Sequence, residues 1–255
     1  MKLRGLAAVF ALAVLCAIPS APAFAQQKPG NVTLVVEMTP KPGSERQFEA
    51  GLKQLAAWYA SNNDSPGRAV FMQITGEKAG TYFEVRRWMH WADLDKPVPS
   101  DEQARAKEFE KAMGDTVATY ALKVYEEIPE LDHRADLQRP AKYYELDTFH
   151  VPLGKQDQFA TAVGRLREAI EKIKSPMDVS WLALTEGGEF GTWVAAIGHD
   201  SSADFGSPTP DEILKNAFGK DEATATVNEI SDLIGGHFTQ EVVMFRPDLS
   251  YFPKK

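Results

Sequence analysis

Cysteine is almost absent from the sequence. The one cysteine, Cys16, lies in an apolar stretch over residues 6–18 that follows a short basic segment. This stretch is too short to span a bilayer stably, and Ala23-Phe24-Ala25 then supplies the small residues that a signal peptidase reads. The sequence predicts a cleaved signal peptide over 1–25 and a soluble, periplasmic or secreted mature chain; an uncleaved membrane anchor is the alternative. The mature chain has no cysteine, which excludes a disulfide, a thiol nucleophile and a thiolate metal site.

Basic residues are scarce relative to acidic ones. The signal peptide holds two of the 28 basic residues and none of the 36 acidic ones, so the mature chain carries 26 against 36, a formal net charge of −10. Binding to nucleic acid or to an anionic membrane requires a basic surface. We therefore predict no nucleic-acid partner and, after signal cleavage, no membrane partner.

The motifs of common metal, nucleotide and hydrolase sites are also missing. The histidines are His90, His133, His150, His199 and His237, and none of them pair at HxxxH or HExxH spacing. No glycine-rich nucleotide loop follows a predicted strand, and the sequence has no GxSxG segment. The sequence predicts no metal site and no cofactor, while a catalytic triad assembled in space from distant residues stays open.

One segment of the chain occurs twice. Met38–Tyr59 and Phe149–Ile170 each read as a strand end, a glycine turn and an amphipathic helix. Identical residues recur at an offset of 111 positions, among them Gly43 and Gly154, Phe48 and Phe159, Gly76 and Gly187, and Gly80 and Gly191. Glycines recur in this way because the same backbone turn requires the same φ angle. We interpret the repeat as a duplication.

Both copies have the same predicted element order. In the first copy we predict strands over 31–38, 69–75, 81–90 and 121–128, with one helix from a capping box at Ser44 and a second from a cap at Ser100 to about 119. In the second we predict strands over 143–150, 179–185, 192–199 and 240–245, with helices over 155–173, from a capping box at Thr209, and over 221–234. This order, βαββαβ, is ferredoxin-like and α+β. The predicted repeats span 26–130 and 142–255, joined by a charged linker over 131–141.

The two βαββαβ units resemble the dimeric α+β barrel superfamily, which includes antibiotic-biosynthesis-monooxygenase-like and haem-degrading domains. The residues that carry the likeness are the strand–glycine–helix opening at Gly43 and the aromatic that ends the third strand, Trp88, followed by Ala92-Asp93-Leu94. In that superfamily two four-stranded sheets pair across a dimer to close a barrel. The resemblance implies that this chain forms the barrel internally, as a monomeric pseudo-dimer.

The resemblance does not extend to a haem site. Haem-degrading members use an Asn on the first strand, a Trp ending the third strand and a His on the second helix. The Asn position holds Val36 and Asp147 in the two halves, the Trp position Trp88 and His199, and the helical His position Met113 and Glu222. Neither half keeps the expected haem ligand.

The segment Arg86–Trp91 is the densest run of basic and aromatic residues. Strand alternation predicts that Arg86 and Trp88 share one face with Glu84, with Met89 on the other face. Arg86 would hold an anionic ligand beside Trp88. The alternative, which we favour, is a strand end whose arginines pair with carboxylates.

A second candidate site comes from a difference between the halves. Glu145 and Asp147 occupy the positions of Leu34 and Val36. If this face meets the helices, the two carboxyl groups need partners, water or a ligand. Alternation adds Tyr143 to their strand and places Trp193 and His199 on the neighbouring one. A carboxylate beside His199 would raise the pKa of its imidazole; a solvated ion pair is the alternative.

Three hypotheses for the function follow. The chain binds a small, largely apolar molecule in a cleft of the barrel, it is a cofactor-poor monooxygenase-like enzyme, or it has a purely structural role. One fold hosts many activities, so the choice depends on the site.

Overall fold

The computed structural model describes residues 30–64, 67–94, 101–133, 140–206 and 208–253; the predicted signal peptide lies outside these residues. Along them the elements are β1 Val32–Pro40, α1 Glu45–Ser61, β2 Ala69–Gln73, β3 Tyr82–Met89, α2 Trp91–Leu94, α3 Asp101–Met113, β4 Val117–Glu127, β5 Tyr143–His150, α4 Gln156–Ile173, β6 Asp178–Glu186, β7 Thr192–His199, a 3-10 turn Ser202–Gly206, α5 Pro210–Phe218, α6 Lys220–Leu233 and β8 Phe238–Phe245. In the ranges given, no helix is long and apolar enough to cross a membrane.

The strands close into one antiparallel barrel in the order β1-β3-β2-β8-β5-β7-β6-β4. Each half of the chain contributes four adjacent strands. The halves meet at two seams, where Phe71 of β2 lies opposite Phe245 of β8 and Tyr125 of β4 lies opposite Leu184 of β6. The prediction of an α+β fold with one internal barrel is confirmed.

The helices pack on the outside of the barrel. Val36 and Met38 of β1 pack against Phe48 of α1, and in the second half Trp193 of β7 packs against Phe159 of α4. Because successive residues of a strand point to opposite faces, the residues between them point into the barrel. We call the two surfaces the helix-facing side and the lumen-facing side.

Of the three predicted caps, the one at Ser100 lies outside the described residues, and the other two differ in outcome. Thr209 accepts a hydrogen bond from the backbone N–H of Glu212, and the Glu212 side chain accepts one from the backbone of Thr209, so that box is confirmed. The box at Ser44 is wrong. Its hydroxyl donates instead to the carbonyl oxygen of Lys41 at 2.6 Å, and it caps no helix N–H.

The second helix of the first half ends earlier than predicted. Helix α3 stops at Met113 rather than near residue 119, and β4 begins at Val117 rather than at 121. A turn over 114–116 separates them, and the Thr116 hydroxyl donates to the carbonyl oxygen of Met113 at 2.9 Å. Glycine at position 114 is a poor helix former, so the chain can leave the helix there.

Part of the predicted linker belongs to the folded structure. Leu131 is buried in the core of the second half, and His133 forms a backbone bridge with Val179 of β6. Residues 134–139 lie outside the described residues. The start of the predicted linker therefore packs against the second half instead of standing apart from it.

Phe48 and Phe159 are both 0% exposed, as the repeat predicts for equivalent positions. We expect Phe48→Ala and Phe159→Ala each to lower the free energy of unfolding by about 3–5 kcal/mol, because each leaves a cavity in a packed core. Urea denaturation measures both losses. A loss below about 1 kcal/mol in either variant would contradict their equivalence.

Candidate functional site

Four of the predicted site residues lie together on the helix-facing side of the second half. In the pairing of β5 with β7, Tyr143 lies opposite His199 and Asp147 lies opposite Ala195, with Glu145 between them on β5. Ala195 belongs to the core that packs against α4, which shows that this face meets the helices. Glu145 and Asp147 therefore lie where the first half has aliphatic side chains.

The two carboxyl groups have few polar partners. Asp147 is 9% exposed, and its Oδ1 accepts a hydrogen bond from Nε2 of Gln240 at 3.1 Å. Burial raises the pKa of Asp147, and the Gln240 donor only partly opposes this. Burial also raises the pKa of Glu145, and the negative charge of Asp147 adds to the effect. Both groups therefore hold a proton more strongly than an exposed carboxyl group does.

The expected effect of a carboxylate on His199 is wrong. Its cross-strand neighbour is Tyr143, and its ring packs against Phe205 with 4.5 Å between centroids. Burial lowers the pKa of His199, and Asp204 opposes this only in part. Among the described residues, Nε2 of His199 has no hydrogen-bond partner. His199 is thus a mainly neutral imidazole beside two aromatic rings rather than an imidazolium held by a carboxylate.

Trp193 lies in the core instead of at an opening. Its ring meets Phe159 edge-on with 5.4 Å between centroids, and it belongs to the buried cluster of the second half. Its indole is therefore held by core packing, although it shares a face with Asp147.

A β-bulge separates the other two predicted residues, Arg86 and Trp88. Leu34 of β1 pairs with Arg86 and Val32 pairs with Met89, so one residue of β1 faces two of β3. Trp88 has a φ of +61° and is 47% exposed. The bulge returns Met89 to the helix-facing side, where it packs against Val32. The predicted alternation therefore holds through Arg87 and is wrong at Met89.

The arginines of this strand pair with carboxylates, as the favoured alternative predicts. Arg86 donates to Oε1 of Glu84 at 3.1 Å. Arg87 forms a two-pronged pair with Glu127, at 2.7 and 2.9 Å, on the lumen-facing side. Neither guanidinium group is free of a protein partner.

A buried ion network on the helix-facing side was missed by the sequence reasoning. Arg68 is 1% exposed and donates to Glu84 at 2.8 Å and to Asp64 at 2.5 Å. Arg105 of α3 donates to the other oxygen of Asp64 at 2.6 Å. Burial acts to raise the pKa of Glu84, but the charges of Arg86 and Arg68 outweigh it and hold the pKa below its usual range. Glu84 is therefore ionised inside the fold.

One sequence signal could have revealed this network. Glu84 shares the helix-facing side of β3 with Tyr82, and a carboxylate on a core face needs cations near it. Alternation alone predicts that need. It does not predict that Arg68 supplies the buried cation, because Arg68 lies just before β2, 16 positions earlier in the chain.

Two large apolar side chains stay exposed on the surface between α3 and β4. Tyr120 and Leu122 are helix-facing, since they pair with Met38 and Val36 of β1, yet they are 55% and 48% exposed. Phe109 of α3 meets the Tyr120 ring edge-on at 5.9 Å. We call the surface formed by Arg86, Arg105, Phe109, Tyr120 and Leu122 the α3 cleft.

The charges at one end of the α3 cleft do not balance. Three guanidinium groups, those of Arg68, Arg86 and Arg105, meet two carboxylates. The side chains of Arg86 and Arg105 keep 22% and 24% of their surface exposed. Among the described side chains, one positive charge is therefore in excess where this surface meets solvent.

The positions that would hold haem in the resembled family have other roles. Met113 is fully buried against the helices of the first half. Glu222 forms an ion pair with Arg165. Across the described ranges, no group of three or more His, Cys, Asp or Glu side chains could hold a metal ion.

No protein-family model and no curated protein sequence matches the chain. The chain does match solved structures in its fold. A putative monooxygenase from Lactobacillus acidophilus NCFM superposes with a TM-score of 0.55 at 8% identity, covering 87% of this chain and 96% of that one. A putative monooxygenase from Fusobacterium nucleatum gives 0.56 at 9% identity, covering 84% and 91%. An anthrone oxidase-like protein gives 0.51 at 13% identity, covering 86% and 92%.

These comparisons place the chain in the class of dimeric α+β barrel folds. That is the fold of the resembled superfamily, and here a single chain supplies all eight strands of the barrel. At such low identity the likeness concerns the fold alone, so the function has to be argued from the residues of the site.

We expect Asp147→Asn to stabilise the protein at neutral pH. The carboxyl group has a raised pKa in the folded chain, so its ionisation costs stability as the pH rises from about 4 through that raised value. The amide keeps an oxygen that can accept from Gln240. We expect a gain on the order of 1 kcal/mol at pH 7.5 and none at pH 3.5, measured by urea denaturation at both values.

Asp115→Asn is the matched control, since Asp115 is exposed in the turn after α3. The control should change stability equally little at both pH values. An equal gain in the two variants, or a gain at Asp147 that does not depend on pH, would contradict the assignment.

We expect Arg68→Met to lower the free energy of unfolding by about 3–5 kcal/mol at pH 7, because it leaves the buried carboxylate of Glu84 short of a cation. The loss should shrink when Glu84→Gln is already present. Urea denaturation of the two single variants and the double variant measures this coupling. Additive losses would show that Arg68 acts by packing alone.

Proposed function

We propose that the chain binds a small, largely apolar molecule with one acidic group in the α3 cleft. The observation that carries the proposal is the half-exposed pair Tyr120 and Leu122 beside Phe109, next to two guanidinium groups that keep part of their surface exposed. The ligand would cover the apolar pair and place its acidic group near Arg86 and Arg105.

The apolar part of the site supports binding through desolvation. Fully burying a large apolar side chain is worth about 1.5–3 kcal/mol, so covering the exposed halves of Tyr120 and Leu122 contributes roughly 1 kcal/mol each. Phe109 already stands against Tyr120 and forms a wall for a flat ligand. Aromatic side chains favour such offset or edge-on contacts.

The polar part of the site supports a ligand with an anionic end. Arg86 and Arg105 are each held by one carboxylate and keep part of the guanidinium group in contact with solvent. A charge-assisted hydrogen bond contributes about 1.5–3 kcal/mol, and an arginine fork suits a carboxylate or a sulfonate. The acidic group thus supplies the missing negative charge.

The neighbouring structures support a small-molecule site and do not define its chemistry. Two of them are described as monooxygenases and one as anthrone oxidase-like. Oxidation of a bound molecule is the enzymatic alternative that these descriptions suggest. We assign no residue of the α3 cleft to such a step.

We expect the anionic dye 8-anilinonaphthalene-1-sulfonate to bind the purified protein with one site per chain, because it combines fused rings with a sulfonate. Tyr120→Ser should weaken binding about tenfold, and Arg86→Gln should do the same through loss of a charge-assisted contact. Fluorescence titration measures both, and native mass spectrometry of the untreated protein tests for a retained ligand.

Two control variants separate the cleft from general surface effects. Phe238→Ser removes the pseudo-equivalent aromatic at the start of β8, which is 52% exposed. Lys111→Gln removes one positive charge from an exposed position on α3. Both should leave dye affinity unchanged. If each control weakens binding as much as its partner variant, the dye does not occupy the α3 cleft.

A further inference from the structure

The inside of the barrel is lined by apolar side chains from both halves of the chain. Strand pairing places these lumen-facing residues opposite one another, for example Val35 with Val85, Leu146 with Ala196 and Tyr125 with Leu184. The apolar set comprises Val35, Phe71, Phe83, Val85, Tyr125, Tyr144, Leu146, Leu182, Leu184, Val194, Ala196, Val243 and Phe245. The lumen is therefore apolar over its middle.

Most of this lining is not packed into a core, since within the set only Val243 is buried and the other side chains are half-buried. The three buried apolar clusters of the described residues contain helix-facing side chains and none of the lumen-facing apolar set. On β1, Leu34 and Val36 are buried, whereas Val35 between them is half-buried. On β7, Ala195 is buried and Ala196 is half-buried. Side chains in the middle of a closed barrel can keep accessible surface only if there is unfilled space beside them.

Barrel geometry and side-chain size account for this space. The interior of an eight-stranded barrel is just wide enough to be filled by side chains or to hold one small ligand. Among the lumen-facing positions of β6 and β7, Ser180 is buried and the Asp178 side chain covers Gly198, whereas the small side chain of Ala196 stays half-buried. On the side of the second half, the accessible space therefore lies beside Ala196.

Each end of the lumen carries charged groups that are already paired. At one end, Glu37 accepts from Lys123 at 2.8 Å and from Lys78 at 3.1 Å. At the other end, Glu127 accepts from Arg87 at 2.7 Å and from the hydroxyl of Thr33 at 2.6 Å. These pairs satisfy one another, so they do not require a charged ligand.

The distance between the two ends sets the length of an occupant. Thr33 and Glu37 are lumen-facing residues of β1 separated by four positions, which is about 13 Å along a strand. A strand tilt of about 40° reduces this to about 10 Å along the barrel axis. A molecule of two or three rings would span that length.

The lumen has an open mouth at the Glu37 end. Thr119 and Ala121 of β4 are lumen-facing, since they pair with Thr39 and Glu37, and both are exposed. Thr239 of β8 is exposed at the same end of the other half. A molecule can therefore enter between the starts of β4 and β8.

We propose that the barrel lumen is a second binding site, which takes one neutral, elongated and apolar molecule about 10 Å long. Phe71 and Tyr144, which meet edge-on at 5.6 Å across the β2–β8 seam, form one aromatic wall. Phe83 of β3 and Tyr125 of β4 supply further rings on the side of the first half. The site is separate from the α3 cleft and does not depend on it.

The neutral dye N-phenyl-1-naphthylamine tests the proposal on the full-length mature protein. We expect one site per chain, with an affinity that is unchanged when the anionic dye 8-anilinonaphthalene-1-sulfonate is present at saturation. Ala196→Phe, which fills the lumen, should weaken binding of the neutral dye at least tenfold and leave the anionic dye unaffected. Tyr120→Ser should leave the neutral dye unaffected.

A second, milder variant keeps the test decisive. Ala196→Ile adds less volume at the same position and should weaken binding of the neutral dye by a smaller factor. If both enlarged variants fail to fold while Ala196→Gly folds, as judged by circular dichroism, the lumen is already full and the proposal is wrong. It is also wrong if the neutral dye does not bind, or if the anionic dye displaces it in competition.

Discussion

Pairing between the halves at the β2–β8 and β4–β6 seams is the interaction on which the rest of the structure depends. Each half alone would be a four-stranded sheet with two edges of unpaired N–H and C=O groups. Closing both edges at once removes that liability and creates an enclosed lumen. Every strand then has a helix layer on one face and the lumen on the other. Because its side chains alternate between the two faces, one set has to pack against the helices and the other has to line the lumen.

The two halves place charged residues on different strands of the helix-facing side. In the first half the charged residues are on β3, as Glu84 and Arg86, next to the aliphatic β1. In the second half they are on β5, as Glu145 and Asp147, next to the aliphatic face of β7. Glu84 is held ionised by the guanidinium groups of Arg68 and Arg86. The pair on β5 has Gln240 as a neutral partner and keeps raised pKa values.

The sequence predicted the architecture well because repeated turns and alternation are local signals. Strands β5 and β7 agree with their predicted bounds, and the prediction of one internal barrel is confirmed. Local signals failed where a bulge sets the side of the sheet on which a residue lies, or where its partner is distant in the sequence. The bulge beside Trp88 reversed the side of Met89, and the partner of Glu84 came from Arg68, outside any predicted motif. The proposed lumen site was not predicted, since alternation identifies which residues face the lumen but not how much space lies between them.

The strand backbone separates the lumen from the α3 cleft by a single layer. Arg86 faces the cleft and Arg87 pairs with Glu127 on the lumen-facing side, so adjacent residues of β3 serve different surfaces. Strand β1, which carries both linings, is hydrogen-bonded on both sides, to β3 and to β4, over most of its length. Such a strand cannot shift toward either surface without breaking both ladders, and the closed seams leave no edge at which the strain could be released. The two surfaces are therefore close in space but mechanically isolated, so a ligand at the proposed lumen site should not alter the proposed site in the α3 cleft.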